Sequence, residues 1–115
     1  MNKCASIVSV LMPVYNGGKY IGEAINSILQ QTYTNFELVI VNDKSTDNTL
    51  EVISTFKDPR IFVINHDENK GIAAALNTGL VNTRGRYIVR FDADDICSPE
   101  RIQVQFDFLD YYYLR

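Results

Sequence analysis

The chain has 115 residues, 46% of them hydrophobic, enough for one globular domain that buries roughly two thirds of its unfolded surface without disulfides. A net charge of −3 and a sequence pI near 5.0 exclude a general nucleic-acid or anionic-membrane binder, because no Lys/Arg cluster offsets the acid. Cys4 and Cys97 are too few for a disulfide framework and have no Cys or His at ligand spacing, so free thiols in a reduced compartment are expected.

Residues 3 to 14 place Lys3 before an apolar stretch, as a secretory leader would. Ser6 and Ser9 interrupt that stretch, however, and Pro13 stops it without a small-residue cleavage site. It reads instead as a first strand, Ser6 to Met12, ended by Pro13, which withdraws a backbone donor. After Asn16-Gly17-Gly18, the apolar residues Ile21, Ala24, Ile25, Ile28 and Leu29 fall at helical spacing and predict an amphipathic helix. Phe36 to Val41 repeats the strand pattern. Ser45, Thr46 and Asp47 then offer N-caps for a helix carrying Leu50, Ile53 and Phe56, which Asp58-Pro59 stops. Ile61 to Ile64 predicts a third strand, and Gly71 leads into a helix with Ile72, Leu76, Gly79 and Leu80 on one face. His66 reads as a surface loop residue. Gly85 turns the chain into a fourth strand beginning at Tyr87. Ser98 as N-cap and Pro99 at the first helical position open a last helix with Ile102, Phe106, Leu109 and Tyr113 on one side.

Four strand-helix repeats predict an α/β fold with a doubly wound, mostly parallel three-layer sheet, since parallel neighbours need crossover helices. In the common 3-2-1-4 order the sheet reverses between the first and fourth strands, and ligands bind at the carboxyl ends beside that switch. The loops meeting there are Pro13 to Gly18 and Asp92 to Asp95, with Asn42-Asp43 one strand further along. The fourth strand ends in Phe91-Asp92-Ala93-Asp94-Asp95, three like charges in four positions that repel one another unless a cation or donor groups compensate. Oxygen-only ligands point to Mg²⁺ or Mn²⁺ rather than zinc. The same loop also reads as a solvated acidic cap for the following helix. Neither a Gly-x-Gly-x-x-Gly nor a Gly-x-x-x-x-Gly-Lys-Ser/Thr loop is present, so a phosphate would be neutralised mainly through a metal on Asp92 to Asp95.

The runs Val8 to Asn16, Val41 to Asp47, Glu68 to Ala75 and Phe91 to Asp95 resemble the amino-terminal half of family 2 inverting glycosyltransferases of the Rossmann-like GT-A fold, in order and at the family's spacing. The resemblance implies transfer of a sugar from a nucleoside-diphosphate donor, most simply a UDP-sugar, to an acceptor hydroxyl in glycan or polysaccharide biosynthesis. It implies that Pro13, Val14, Tyr15 and Asn16 line the nucleotide pocket, with Tyr15 as an aromatic face for the base. Asp43 would read the base, as a carboxylate can accept from an imide N–H of uracil; its alternative reading is a helix N-cap. Lys70 and Gly71 approach the nucleotide in the family, although Lys70 also reads as solvated. Asp92-Ala93-Asp94 matches the family's Asp-x-Asp motif, with Asp94 as metal ligand, Asp92 facing the metal or ribose, and Asp95 supporting. Lys44 departs from the family, where Gly often follows the Asp; a turn needing positive φ there would be strained.

In the family the general base lies beyond the segment matched here, so it is expected after Arg115. Residues 1–115 are expected to form a single donor-binding domain, truncated before the acceptor half and without turnover of its own. The rival is a non-catalytic sugar-nucleotide-binding module. A receiver-type or dehalogenase-like phosphatase would want acidic residues where Met12-Pro13-Val14-Tyr15 stands. Tyr111-Tyr112-Tyr113 points in several directions at about 100° per residue, which suits a missing half, a homodimer partner or a plain surface cluster. The expected location is cytoplasmic, with a lipid-linked acceptor at the inner membrane face as the family implies.

Overall fold

The computed structural model describes residues 8–113, with side chains to residue 107. The expectations placed on Ser6, Cys4, Leu109 and the Tyr111-Tyr112-Tyr113 cluster fall outside these. Strands β1 (Val8–Val14), β2 (Phe36–Asn42), β3 (Ile61–Asn65) and β4 (Tyr87–Arg90) alternate with helices α1 (Ile21–Leu29), α2 (Thr49–Ser54), α3 (Ile72–Val81) and α4 (Arg101–Tyr113). All strand pairs are parallel, in the order β3-β2-β1-β4. Every residue of β1 and β2 is buried, the polar Ser9, Glu37 and Asn42 included, as expected of strands covered on both faces.

Strand alternation divides the core. Val10, Met12, Leu38 and Ile40 face α1, α2 and α4, whose Ile21, Ile25, Ile28, Ile53 and Ile102 close the larger cluster. Each of these fully buried side chains contributes about 2 kcal/mol or more. On the other face, Leu11, Val39 and Val41 form a smaller cluster with Ala75 of α3, with Ile64 and Leu76 at the margin. Helix α3 can come this close because a Cβ on Gly79 would sit 2.0 Å from Leu11 Cδ1. Its packing face is therefore Ala75 and Gly79, whereas Ile72 and Leu80, expected inside, are exposed. Small residues set that contact, and the large ones fall to its flanks.

Pro13 does not end β1, which continues to Val14 opposite Asn42. The Leu11 carbonyl accepts from Phe91 N–H, so alternation turns the position lacking a donor at Pro13 toward β4 as well. Pairing with β4 stops at Leu11 opposite Arg90, and no ladder bond is lost. Past that point β1 and β4 separate, and the gap between them is the cleft described next. No helix among the described residues is long and apolar enough to cross a membrane.

Candidate functional site

The separation of β1 and β4 leaves a cleft of about 380 Å³ at the carboxyl edge of the sheet. Pro13, Val14, Tyr15 and Asn16 form one wall, and Asp92, Ala93 and Asp94 form the other. Tyr15 keeps 50% of its surface exposed, which leaves an aromatic surface for a planar group, while Tyr20, 49% exposed, has Lys19 Nζ 5.7 Å from its ring centroid. Carboxylate oxygens of Asp92, Asp94 and Asp95 lie within 4.8 Å of one another. Arg90 Nε is 3.2 Å from Asp92 Oδ1, in a pair with both side chains about half exposed (51% and 48%), so water screens it. This all-oxygen, solvent-open donor set fits a hard divalent cation that retains waters.

The first wall is held by the β2–α2 loop. Asn16 sits in the left-handed region (φ 53°), which Asn tolerates, and its Oδ1 accepts from Thr46 N–H (2.7 Å) and Asp47 N–H (3.3 Å). Asn16 N–H donates to Ser45 Oγ (2.9 Å), Gly17 N–H to Thr49 Oγ1 (3.0 Å) and Gly18 N–H to Asp47 Oδ2 (3.0 Å). Asn16 is thus a clamp between loops, with its amide oxygen turned from the cleft to its neighbours. Asp47 also accepts from the hydroxyl and N–H of Thr49, and the Thr49 hydroxyl above all holds its carboxyl below the usual range, against some loss of hydration. The residue at the N-cap of α2 is Asn48, with no side-chain cap, rather than Ser45, Thr46 or Asp47. Those three are spent on the loop clamp. Lys44 does adopt positive φ (62°), so the turn after Asp43 carries the strain its side chain implies.

Asp43 is 4% exposed and bonded at both carboxylate oxygens. Its Oδ1 accepts from Lys70 N–H (2.9 Å) and meets His66 Nδ1 (2.7 Å), and its Oδ2 accepts from Gly71 N–H (2.9 Å). Burial pushes this carboxyl up, but the Lys70 N–H, His66 and the Gly71 N–H outweigh it and hold the group below the usual carboxylate range. His66 is therefore not a surface residue: it is 8% exposed, and its Nε2 lies 2.8 Å from Thr78 Oγ1 on α3. An ionised Asp43 can only accept, so His66 donates from Nδ1 and, when neutral, accepts from Thr78 at Nε2. Asp43 lines a small hollow of about 80 Å³ with Pro13, Val14, Tyr15, Ile72 and Ala75, contiguous with the main cleft through the first four of these neighbours.

Gly71 takes φ 93° with open space around a would-be Cβ, and its exposed neighbour Lys70 contributes its backbone N–H to Asp43. Three residues for which the sequence suggests no site role also border the cleft, Tyr20, Ile72 and Arg90. Arg90 is a strand residue whose position two before Asp92, on the same face, was its only signal. His66 and Thr78 gave none, since their partners lie 23 and 12 residues away.

The sequence model of glycosyl transferase family 2 matches residues 9–113. Glycosyltransferase GlyG of Streptococcus pneumoniae serotype 4 is 44% identical over 102 residues, covering 86% of this chain and 34% of GlyG. UDP-Glc:alpha-D-GlcNAc-diphosphoundecaprenol beta-1,3-glucosyltransferase WfgD of Escherichia coli is 39% identical over 103 residues, covering 90% and 41% respectively. Among solved structures, S. aureus TarS 1-349 in complex with UDP-GlcNAc superposes with a TM-score of 0.88 at 31% identity, over 93% of this chain and 32% of TarS. The mannosyltransferase PcManGT of Pyrobaculum calidifontis, in complex with GDP-Man and Mn²⁺, gives a TM-score of 0.75 at 33% identity, over 84% and 30%. The chain spans about a third of the length of such relatives.

Proposed function

Because the chain belongs to glycosyl transferase family 2, we propose that its cleft binds a nucleoside-diphosphate sugar, a UDP-sugar in the first instance, for inverting transfer to an acceptor hydroxyl in glycan or polysaccharide assembly. The observation that carries this reading is a cleft where β1 and β4 part, with the Pro13 to Tyr15 wall on one side and, on the other, Asp92 and Asp94 of a three-carboxylate cluster. UDP-GlcNAc bound to TarS and GDP-Man with Mn²⁺ bound to PcManGT support it. Asp94 and Asp92 would hold a Mg²⁺ or Mn²⁺ ion, with Asp95 beside them, and such an ion supplies charge neutralisation for a departing diphosphate.

The chain's own residues bind and orient. Tyr15 offers a ring face to the base, and Pro13 and Val14 shape the slot beneath it. Asp43 Oδ2 accepts only one protein donor, so it retains capacity for an imide N–H of the base. The Lys70 and Gly71 N–H groups anchor that same carboxylate, although neither residue lines the cleft or the hollow beside it. Residues 1–115 act as the donor-binding domain, and the carboxylate that takes the acceptor proton is expected outside them. A lipid-linked glycan, as named for WfgD, is the acceptor class this reading favours.

Calorimetric titration of UDP and GDP, with and without Mn²⁺, tests this on the chain and on Asp94→Ala. The expected result is Mn²⁺-dependent UDP binding, tighter than GDP binding and weakened at least about tenfold in the variant. A folded chain that binds neither nucleotide, or an Asp94→Ala variant that binds as well as the parent, overturns the proposal.

A further inference from the structure

We propose that His66, braced by Thr78, is a positioning residue for the nucleobase end of the cleft, acting through Asp43 and the Lys70-Gly71 backbone; this rests on the donor-site reading above. The Asp92 and Asp94 carboxylates border the main cleft, whereas Asp43 borders the small hollow beside it. A nucleotide with its diphosphate at the carboxylates therefore extends its other end over Asp43.

What fixes Asp43 is a chain of contacts from the rigid body of α3. Thr78 Oγ1 lies 2.8 Å from His66 Nε2, His66 Nδ1 lies 2.7 Å from Asp43 Oδ1, and Asp43 takes the N–H groups of Lys70 and Gly71, each at 2.9 Å. The His66 backbone N–H also donates to the Asn42 carbonyl at 2.9 Å, which ties the residue's backbone to the end of β2. The carboxylate is thereby held from three elements. Gly71 is the point at which the loop turns into α3 with positive φ, and Ile72 follows it directly into both hollows. Removing the His66 donor frees Asp43 to rotate, and the Lys70-Gly71 backbone then loses its fixed acceptor. The diphosphate end shares none of these contacts, so the two ends of the ligand separate the effect.

The test measures UDP and inorganic pyrophosphate binding, both with Mn²⁺, on the parent chain and on His66→Ala, His66→Asn and His66→Gln, each checked for folding by circular dichroism. An Asn amide can reach the position of Nδ1, and a Gln amide that of Nε2. His66→Ala and His66→Gln are expected to weaken UDP about tenfold and leave pyrophosphate within about twofold, and His66→Asn to restore most of the UDP affinity. Amide exchange at Lys70 and Gly71 quickens in the first two variants and is restored by Asn. Equal UDP affinity across the series, with the parent binding UDP, overturns the role of His66 alone. Parallel loss of UDP and pyrophosphate makes His66 merely structural and also overturns it. Failure of the parent to bind UDP overturns the donor-site reading itself.

Discussion

Asp43→Asn changes one oxygen to an NH₂ group, nearly without change of volume, at a site where three donors converge on a single carboxylate. In the better amide orientation the oxygen keeps His66 and Lys70, and the NH₂ group faces the Gly71 N–H. The Gly71 N–H and the NH₂ group facing it are both left without an acceptor there and two bonds lose their charge assistance, a cost of about 2 kcal/mol. For a domain of 115 residues, about 4 °C of Tm is lost per kcal/mol, so Tm should fall by about 8 °C at pH 7. The pH dependence is diagnostic. Folding lowers the Asp43 pKa, so the unfolded chain takes up the proton first as the medium is acidified. The contribution is intact above the ordinary aspartate pKa of about 3.9 and fades as pH falls through the lower folded value. Thermal unfolding followed by circular dichroism should give a parent-minus-variant gap that is constant between about pH 7 and 5 and shrinks toward about pH 3. A gap that is absent, or that persists unchanged at the acid end, refutes the assignment of Asp43 as an ionised anchor.

Gly85→Ala places a Cβ 2.5 Å from both the N and Oγ of Ser9 and 2.8 Å from the Val8 carbonyl carbon, backbone that cannot move without disturbing β1. Urea unfolding should show a loss of about 3 kcal/mol, and a loss below about 1 kcal/mol contradicts the packing described. Gln31→Ala removes a buried amide whose Oε1 accepts from Ile102 N–H (3.0 Å) and whose Nε2 donates to the Ser98 carbonyl (2.6 Å). The expected cost is about 2 kcal/mol, with amide exchange quickened first at Ile102; uniform exchange changes would contradict its role as a cap for α4. Asn16→Ala strains a left-handed position and deletes the acceptor for Thr46 and Asp47, so it should cost about 2 kcal/mol and weaken UDP binding about tenfold. Unaltered affinity would mean that the loop clamp does not shape the cleft.

The parallel sheet and its order were legible because Val10 to Met12 and Leu38 to Val41 are continuous apolar runs, and because each strand is followed by a helical pattern of crossover length. The carboxylates at the end of β4 were legible because they are contiguous in sequence and expensive to gather. What periodicity could not reveal was competition among polar groups for partners. Ser45, Thr46 and Asp47 have the chemistry of N-caps, yet Ser45 and Asp47 accept from the Asn16 and Gly18 backbone and the Thr46 hydroxyl pairs with the Asn16 side chain. His66 has the composition of a loop residue, and only tertiary pairing with Asp43 and Thr78 buries it. Helix α3 misled for a different reason: its close approach to the sheet is set by Ala75 and Gly79, and a count of large apolar residues gives such small ones no weight. Pro13 read as a stop because a sequence does not say which neighbour a missing donor would have faced.

The central claim is that the ion and the nucleotide meet where β1 and β4 part. Paramagnetic broadening of backbone amide signals by substoichiometric Mn²⁺, recorded with UDP present, tests it most directly. The predicted result is loss of the Asp92 to Asp95 signals first and those of Val14 and Tyr15 next, with Glu37 and Gly85 at the opposite end of the sheet unaffected. Broadening centred on Asp58, Asp107 or the whole surface alike would contradict it.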